Sequence, residues 1–482
     1  MLTEKEILKF INEDKESRKK RAAKVGQRYY DAEHDILNYK LYYYNGDGEL
    51  VEDTTRSNIK IPHPFFTELV DQEVQYLLSG KDGFVFSDNQ ELQPILNEYF
   101  NENEDFIAGL NEVLTGCIVK GWEYMYAYKN ENDKLAFECA DSMGVIEVRA
   151  KDTDDGCEYV IYWYTDRIDK GKKEITRIQV WDKEQTYYYV RSGQGKVQKD
   201  DSVPLNPRPH TLYKKDGDDQ TYYEGFGFIP FFKLEHNKKN TSGLKPVKPI
   251  IDDYDLMSCG LSNNLQDASE YLVVVSGFEG NSLEELIQNT KTKKHIGVGE
   301  GGNVEYKTVD VPYEARKTKL ELDRENIYKF GMGFDNSQVG DGNITNIVIK
   351  SRYALLDMKV NKLQIRLKQF LRKILDVVLK EINEANGTDY QQKDVYIRFT
   401  PEIITNEADN AAIEKTHAER KQIEITTMLD LAAKLDNETL MQEICDILDI
   451  DYNEIKSKLP QEEDLTVNNQ LNTLENVVVE DE

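Results

Sequence analysis

Apolar and polar positions recur along the chain with two periods, which distinguishes helices from strands. The clearest helical pattern begins after a polar segment, Gly331 to Asn346, and its apolar side chains recur at alternating steps of four and three residues. These positions are Ile349, Tyr353, Leu356, Val360, Leu363, Leu367, Phe370, Ile374 and Val377. The pattern predicts a long helix whose apolar seam needs a neighbouring surface to cover it.

Further helices are indicated by helical spacing of apolar residues and by Pro or Gly at their ends. The predicted ranges are Leu2 to about Lys24, His63 to Leu78, Pro249 to about Val275, Leu283 to Gln288, Pro312 to about Phe330, about Glu407 to Leu435, and Thr439 to Leu448.

Between about Trp122 and Leu234 the sequence favours strands, because short runs rich in Tyr and β-branched residues alternate with polar turns. The runs are WEYMYAY, KLAFECA, EYVIYWYT, ITRIQVW, QTYYYV and FIPFFKL. Their turns predict antiparallel hairpins. Two short strands near His295 to Val298 and Val304 to Val309, joined by GEGGN, and a strand at Val395 to Phe399 complete an α+β fold.

The segment before the long helix is expected to be exposed and mobile. Gly331, Gly333, Gly340 and Gly342 give it access to positive φ, and the residues between them offer little apolar surface to bury.

Charge is sorted along the chain, whose formal net charge is −28. The long helix is basic, with nine Lys or Arg against three Asp or Glu between Ile349 and Ile382. By contrast, Pro249 to Thr290 contains no Lys or Arg. The segment past Lys458 is acidic and also lacks both, so we expect a disordered tail. Strong negative charge disfavours wrapping a polyanion but suits a surface past which DNA moves.

Composition narrows the class of protein. The 482 residues suffice for about three domains, and the five Cys have no paired spacing, so a reducing compartment is expected. No apolar run approaches the length of a membrane span, and we expect neither export nor insertion.

Motifs of catalysis are missing from the sequence. SGQGKV at Ser192 to Val197 lacks the spacing and the Ser or Thr of a phosphate-binding loop and indicates a hairpin turn. The six His are far apart, with no HExxH pairing, and there is no GxSxG. We therefore expect no enzyme activity, no cofactor and no metal site.

Three segments resemble the portal proteins of tailed bacteriophages, in particular the siphophage type of Gram-positive hosts. GQRYYDAEHDIL at Gly26 to Leu37 is similar to a Tyr-Tyr-x-x-x-His-x-Ile signature, and Asn58 to Gly80 to a Val-Asp-x-x-x-x-Tyr-Leu-Leu-x-Gly helix. Ile229 to Asp267 is similar to the passage from a Pro-bearing strand into an Ile-Asp-x-Tyr stem helix. ITNIVIKSRYALL replaces the Ser-Gly-x-Ala-Leu of many relatives. The resemblance rests on the order of these segments along nearly the whole chain.

The resemblance implies a portal-like α+β subunit with an α/β wing, a two-helix stem, a small α/β clip, a long kinked helix and a helical crown. The implied ranges are 1–240 for the wing, 241–276 for the first stem helix, 277–311 for the clip, 312–330 for the second stem helix, 331–346 for a tunnel loop, 347–401 for the long helix and a returning wing strand, 402–458 for the crown, and 459–482 for the disordered tail. In the ring that such subunits form, the seam of the long helix would be covered by adjacent subunits.

Site residues follow from these implied parts, and we hypothesise a stem that repels DNA and a loop that touches it. The acidic stem residues are Asp252, Asp253, Asp255 and Glu270. The loop residues that line the DNA channel are Asp335, Asn336, Ser337, Gln338, Val339, Asn343, Ile344 and Thr345, with the four glycines as hinges. On the long helix, pairing with acids of the neighbouring subunit is favoured over DNA contact for Lys350, Arg352, Lys359, Lys362, Arg366 and Arg372. The clip residues that would dock partners are Glu284, Glu285, Lys293 and Lys294.

The implied function is a conduit at one capsid vertex for packaging and ejecting double-stranded DNA. About twelve identical subunits would form it in the virion after assembly in the host cytoplasm, without a membrane. Its partners would be the terminase large subunit, head-completion or adaptor proteins, scaffold and major capsid protein. The alternatives are another virion structural protein, such as a baseplate or head-completion component, and a packaging nuclease.

Overall fold

The chain forms two compact units, Met1–Val339 with Arg352–Ile403, and Gly340–Ser351 with Ile404–Glu482. The computed structural model describes residues 1–130, 134–151, 156–214, 221–267, 272–278, 280, 282, 285–286, 296–307, 312–335, 346–402, 407–431, 437–448, 450 and 452.

The helices confirm most of the predicted pattern. In the described ranges they are α1 (Glu4–Lys15), α2 (Arg18–Tyr30), α3 (Phe65–Leu77), α4 (Leu92–Leu96), α5 (Glu104–Lys120), α6 (Lys248–Asp267), α7 (Tyr313–Gly331), α8 (Asn346–Asn386), α9 (Glu407–Asp430) and α10 (Asn437–Leu448). The last two belong to the second unit, where Leu440 and Cys445 of α10 are buried.

The single helix predicted from Leu2 to Lys24 is wrong, because the chain breaks between α1 and α2. Ser17 adopts extended backbone there, and its hydroxyl accepts a hydrogen bond from the Lys20 backbone N–H at 3.2 Å. A Ser cap of this kind starts a new helix.

The β-rich region is antiparallel, as predicted. Three short strands precede this region and three strands follow it. The strands of the described ranges are β1 (Tyr42–Tyr44), β2 (Leu50–Glu52), β3 (Val85–Phe86), β4 (Trp122–Lys129), β5 (Leu135–Ala140), β6 (Val145–Val148), β7 (Tyr159–Ile168), β8 (Lys173–Trp181), β9 (Gln185–Ser192), β10 (Gln198–Lys199), β11 (Arg208–Pro209), β12 (Thr211–Lys214), β13 (Thr221–Glu224), β14 (Phe231–Glu235), β15 (Leu272–Phe278), β16 (Val298–Lys307) and β17 (Tyr396–Ile397). The order β10-β9-β8-β7-β6, with β11 beside β9, forms one sheet, and β14-β4-β5 forms another.

The predicted helix from Pro249 to Val275 is wrong in its last turns. It ends at Asp267, and Leu272–Phe278 is a strand that pairs antiparallel with β16. The β-branched residues in Leu272–Phe278 favour the extended backbone of a strand. The GEGGN segment was predicted to join two strands, but it lies within β16. Val298 pairs with Phe278 and Asn303 pairs with Ser276, so residues 299–302 form a bulge between these two pairs.

The seam of α8 is covered by its own subunit, so the prediction that adjacent subunits cover it is wrong for the described part. Leu356, Val360, Leu367, Phe370 and Ile374 are each at most 2% exposed. They share one hydrophobic core with side chains of α3, α5, β4 and β14. Burying such surface contributes about 25 cal/mol per Å², so a helix of this length is strongly held.

Candidate functional site

Helices α6 and α7 form an antiparallel pair connected through the β15–β16 hairpin. Lys319 on α7 donates hydrogen bonds to Asp253 on α6 and to Asp323 on its own helix. Tyr254 on α6 and Tyr328 on α7 both contact the ring of Phe65 edge-on, at 4.9 and 6.0 Å between centroids. Polar pairs and aromatic packing therefore join the two helices to each other and to the start of α3.

Asp255 anchors α6 to the N-terminal part of the chain. Its side chain is 1% exposed, and its two oxygens lie 2.6 Å from Nδ1 of His34 and 2.8 Å from Nδ1 of His63. The backbone N–H of His63 donates to the same carboxylate at 3.0 Å. Burial alone would raise the pKa of Asp255, but the hydrogen bonds from the two His outweigh it and lower this pKa.

This geometry corrects the hypothesis for Asp255. Because its carboxylate is enclosed and fully bonded inside one subunit, it cannot contribute to a repulsive surface that DNA would meet. Sequence reasoning also missed His34 and His63, whose separation along the chain hid their convergence. A signal was present, since His34, His63 and Asp255 lie one in each of the three segments that resemble portal proteins.

The two other described acids of the predicted stem are also paired within the subunit. Asp252 accepts hydrogen bonds from the Tyr29 hydroxyl and, at 2.7 Å, from Lys248. Lys248 also donates a hydrogen bond to Asp35 at 2.7 Å. Burial would raise the pKa of Asp35, but the ion pair with Lys248 helps to lower this pKa to about 2. The side chains of Asp252 and Asp253 are 37% and 47% exposed. Glu270 lies outside the described residues.

The start of the predicted tunnel loop is packed against α3. A Cβ added to Gly331 or Gly333 would lie 2.6 or 2.2 Å from a methyl carbon of Leu69. Positive φ occurs at Met332, at 55°, and at neither of these glycines. The reason given for their predicted hinge role, access to positive φ, is therefore wrong. Glycine is needed at these two positions because a side chain would clash with Leu69.

Phe334 and Asp335 are fixed as well. The Phe334 backbone N–H donates to the side chain of Gln72 at 2.9 Å, and the Gln72 amide donates back to the Phe334 carbonyl at 2.8 Å. The Asp335 side chain is 10% exposed and accepts from Arg324 at 2.9 Å, contrary to its predicted exposure. The remaining predicted loop residues lie outside the described residues, namely Asn336, Ser337, Gln338, Val339, Gly340, Gly342, Asn343, Ile344 and Thr345.

Two basic residues of the long helix pair inside the subunit rather than with a neighbour. Lys359 lies 2.9 Å from the buried Glu73, and Arg366 lies 3.5 Å from Glu235. The prediction that Lys359 and Arg366 pair with acids of the neighbouring subunit is therefore wrong. Lys350, Lys362 and Arg372 are exposed, and the side chain of Arg352 lies outside the described part.

The predicted clip is described only in part. Ser282 accepts a hydrogen bond from the Glu285 backbone N–H at 3.2 Å, and β15 and β16 form the adjoining hairpin. Glu284, Lys293 and Lys294 lie outside the described residues.

Four thiols among the described residues have raised pKa values, which makes them less nucleophilic near neutral pH. Burial raises the pKa of the thiols of Cys117, Cys139, Cys157 and Cys259. Within the described ranges, no group of three or more His, Cys, Asp or Glu side chains could hold a metal ion. No helix of that part of the chain is long and apolar enough to cross a membrane.

Comparison with known proteins matches nearly the whole chain. The model of the family "Phage portal protein, SPP1 Gp6-like" matches residues 8–457. The chain is 27% identical over 387 residues to the portal protein of Bacillus phage SPP1, an alignment covering 80% of this chain and 75% of that protein. It is 24% identical over 409 residues to the portal protein of Clostridium phage phiCD119, covering 79% and 85%.

Proposed function

The chain belongs to the SPP1 Gp6-like family of phage portal proteins, and from this premise we propose that about twelve copies close into a ring at one capsid vertex. Double-stranded DNA would pass through the ring during packaging and ejection. The observation that carries the proposal is the match over residues 8–457, which includes all three segments meeting at Asp255. The family is structural, so its members act by shape and surface.

The paired helices support the proposed stem. With 20 residues, α6 is about 30 Å long at about 1.5 Å per residue. The described side chains of α6 and α7 include five large hydrophobic ones that are each more than two-fifths exposed: Leu256, Leu265, Tyr313, Leu322 and Phe330. Apolar surface left open on one copy favours contact with the next.

The parts of the ring follow from this assignment. Helices α6 and α7 would be the stem, and the segment from β15 to β16 the clip, where Glu284, Glu285, Lys293 and Lys294 would meet the terminase large subunit and later head-completion proteins. Residues 1–240 would form the wing, 331–346 the tunnel loop, and 402–458 the crown. Scaffold and major capsid protein would surround the ring.

A conduit must let DNA slide, which limits basic charge along its bore. Duplex DNA presents on the order of 18 phosphates over 30 Å, and six to ten contacts to phosphate already make binding strong and salt-dependent. Uncharged side chains in the tunnel loop, such as Asn336, Gln338, Asn343 and Thr345, would touch the duplex without holding it. Asp252 and Asp253 would repel DNA only weakly, since the charge of each is partly neutralised by a lysine.

Electron microscopy tests this function directly. We expect purified protein, imaged in negative stain, to form rings with an axial channel, and sedimentation to give a single large species. Isolated protomers or assemblies without a pore, under conditions that support capsid formation, would contradict the proposal. Cleavage of DNA in the presence of a divalent metal would instead favour the nuclease alternative.

A further inference from the structure

A basic cleft of about 770 Å³ lies beside β14, between the β6–β7 strands and α8. Its floor is apolar and includes Phe231, Phe232 and Phe370. Two acids, Glu147 and Glu235, line it. The basic side chains of the cleft are Arg149, Lys183, Lys233, Arg366, Arg372 and Lys373.

The two acids are already paired within the cleft. Glu147 lies 2.8 Å from Arg149, and Glu235 lies 3.3 Å from Lys233 and 3.5 Å from Arg366. Three bases therefore share the two carboxylates that the subunit supplies.

Lys183, Arg372 and Lys373 remain exposed at the rim of the cleft, and none of them reaches a carboxylate within 4 Å in the described part of the chain. Neighbouring cations repel one another, so this excess is unusual in a chain of net charge −28. A ligand with several carboxylates and an apolar anchor fits both the charge and the aromatic floor. That chemistry is typical of an acidic protein surface.

The opposite edge of the same sheet carries such a surface, which we call the acidic corner: Glu98, Glu102, Glu104 and Asp105, all exposed. It lies beside β5, because the ring of Phe106 packs on that of Phe137 at 5.6 Å between centroids. In the order β14-β4-β5, the basic cleft borders the first strand and the acidic corner the last.

The acidic corner is held rigidly. The Asn101 side chain accepts hydrogen bonds from the backbone N–H groups of Phe84 and Val85 at 2.9 and 3.1 Å. Asn103 caps α5 by accepting from the Phe106 N–H at 3.0 Å. A preorganised surface loses little entropy on binding, which favours its use as an interface.

We propose that the acidic corner of one copy docks in the basic cleft of the next copy around the ring. The inference rests on the proposed ring. Because the two surfaces lie at opposite edges of one sheet, the contact is head-to-tail and each subunit both gives and receives it. Opposite charge then selects the correct neighbour and orientation.

Charge reversal tests the contact with two variants of the full chain. The cleft variant carries Arg372→Glu and Lys373→Glu, and the corner variant carries Glu98→Lys and Glu102→Lys. Each variant alone would face like charge at every contact, and we expect its concentration for half-assembly to rise at least about tenfold. When the two variants are mixed in equal amounts, a ring in which they alternate has opposite charge at every contact, so rings should form again. Sedimentation velocity at low and high salt measures both effects, which should shrink as salt screens the charges.

A control variant, Lys170→Glu with Lys172→Glu, changes charge equally in the exposed β7–β8 turn and should assemble like the wild type. Recovery in the mixture also shows that both variants are folded. Normal assembly of either variant alone, or no recovery in the mixture, would overturn the inference. An alternative occupant of the basic cleft is the subunit's own acidic segment before Gly156, which contains Asp152, Asp154 and Asp155 and lies outside the described residues. If these acids occupied the cleft, the corner variant would assemble normally. Failure of the wild type to form rings would instead count against the proposed function.

Discussion

At the scale of single residues, Asp255 connects parts of the chain that are about 200 positions apart in sequence, as its spacings to His34 and His63 show. A buried carboxylate is costly unless donors satisfy it, and here two imidazoles and a backbone N–H do so. The cluster therefore holds α6 against the N-terminal segment.

Asp255→Asn should destabilise the subunit by about 3 kcal/mol, because an amide offers one acceptor oxygen where the carboxylate offers two. The urea midpoint at matched protein concentration measures this loss. Asp253→Asn, at a half-exposed position on the same helix, should cost less than about 1 kcal/mol. Equal effects of the two substitutions would contradict the assigned role.

The stability that Asp255 contributes should depend on pH. Since the pKa of Asp255 is lowered in the folded state, its stabilisation is present above about pH 4, the ordinary range of Asp, and is lost as pH falls through the folded-state pKa. The difference between wild type and Asp255→Asn should therefore shrink on acidification. A difference that stays constant from neutral to strongly acidic pH would argue against it.

At the scale of elements, α8 is fixed in its own subunit by polar as well as apolar contacts. Glu73 on α3 is 0% exposed, and Lys359 is its ion-pair partner. Tyr76, one turn further along α3, donates a hydrogen bond to Asp357 at 3.2 Å. The basic charge of the helix thus serves partly to satisfy acids beneath it.

Lys359→Met should cost about 3–5 kcal/mol, because it leaves Glu73 buried without its cation. Combining it with Glu73→Leu should restore most of the stability, since apolar pairs replace buried ion pairs at little cost. Urea unfolding of the two single variants and the double variant gives the coupling energy. If Lys359→Met unfolds like the wild type but fails to assemble, then Lys359 acts between subunits.

At the scale of the whole molecule, surfaces that one copy leaves open indicate where copies meet. Leu322 on α7 is 52% exposed and contributes little to the folded monomer. In the proposed ring it would be covered by the adjacent stem, which gives apolar surface there a role that the single chain does not reveal.

Leu322→Ser should leave the unfolding free energy of the monomer within about 0.5 kcal/mol of the wild type but reduce the fraction of rings. Sedimentation velocity measures that fraction. The matched control is Leu205→Ser, in a loop where Leu205 is 42% exposed, and it should assemble normally. A reduced ring fraction in both variants, or in neither, would show that α7 is not at the subunit contact.

The sequence by itself determined the elements whose pattern is local. The apolar period of α8, the Tyr-rich strands and the Pro-started helix α7 were predicted near their observed bounds, because backbone preference and the burial of one face act over a few residues. The order of three short segments was also enough to indicate the family.

Only the tertiary structure decided which partner each side chain has. Asp255 and Lys359 cannot be told from exposed charges in the sequence, yet each is paired with a residue far along the chain. Asp335 is enclosed as well, although its partner Arg324 is only 11 positions away. Likewise, the seam of α8 required a partner, and either its own subunit or a neighbour would satisfy the pattern equally well. Burial and ion pairing depend on distances in space between segments remote in sequence, and no local period encodes those distances.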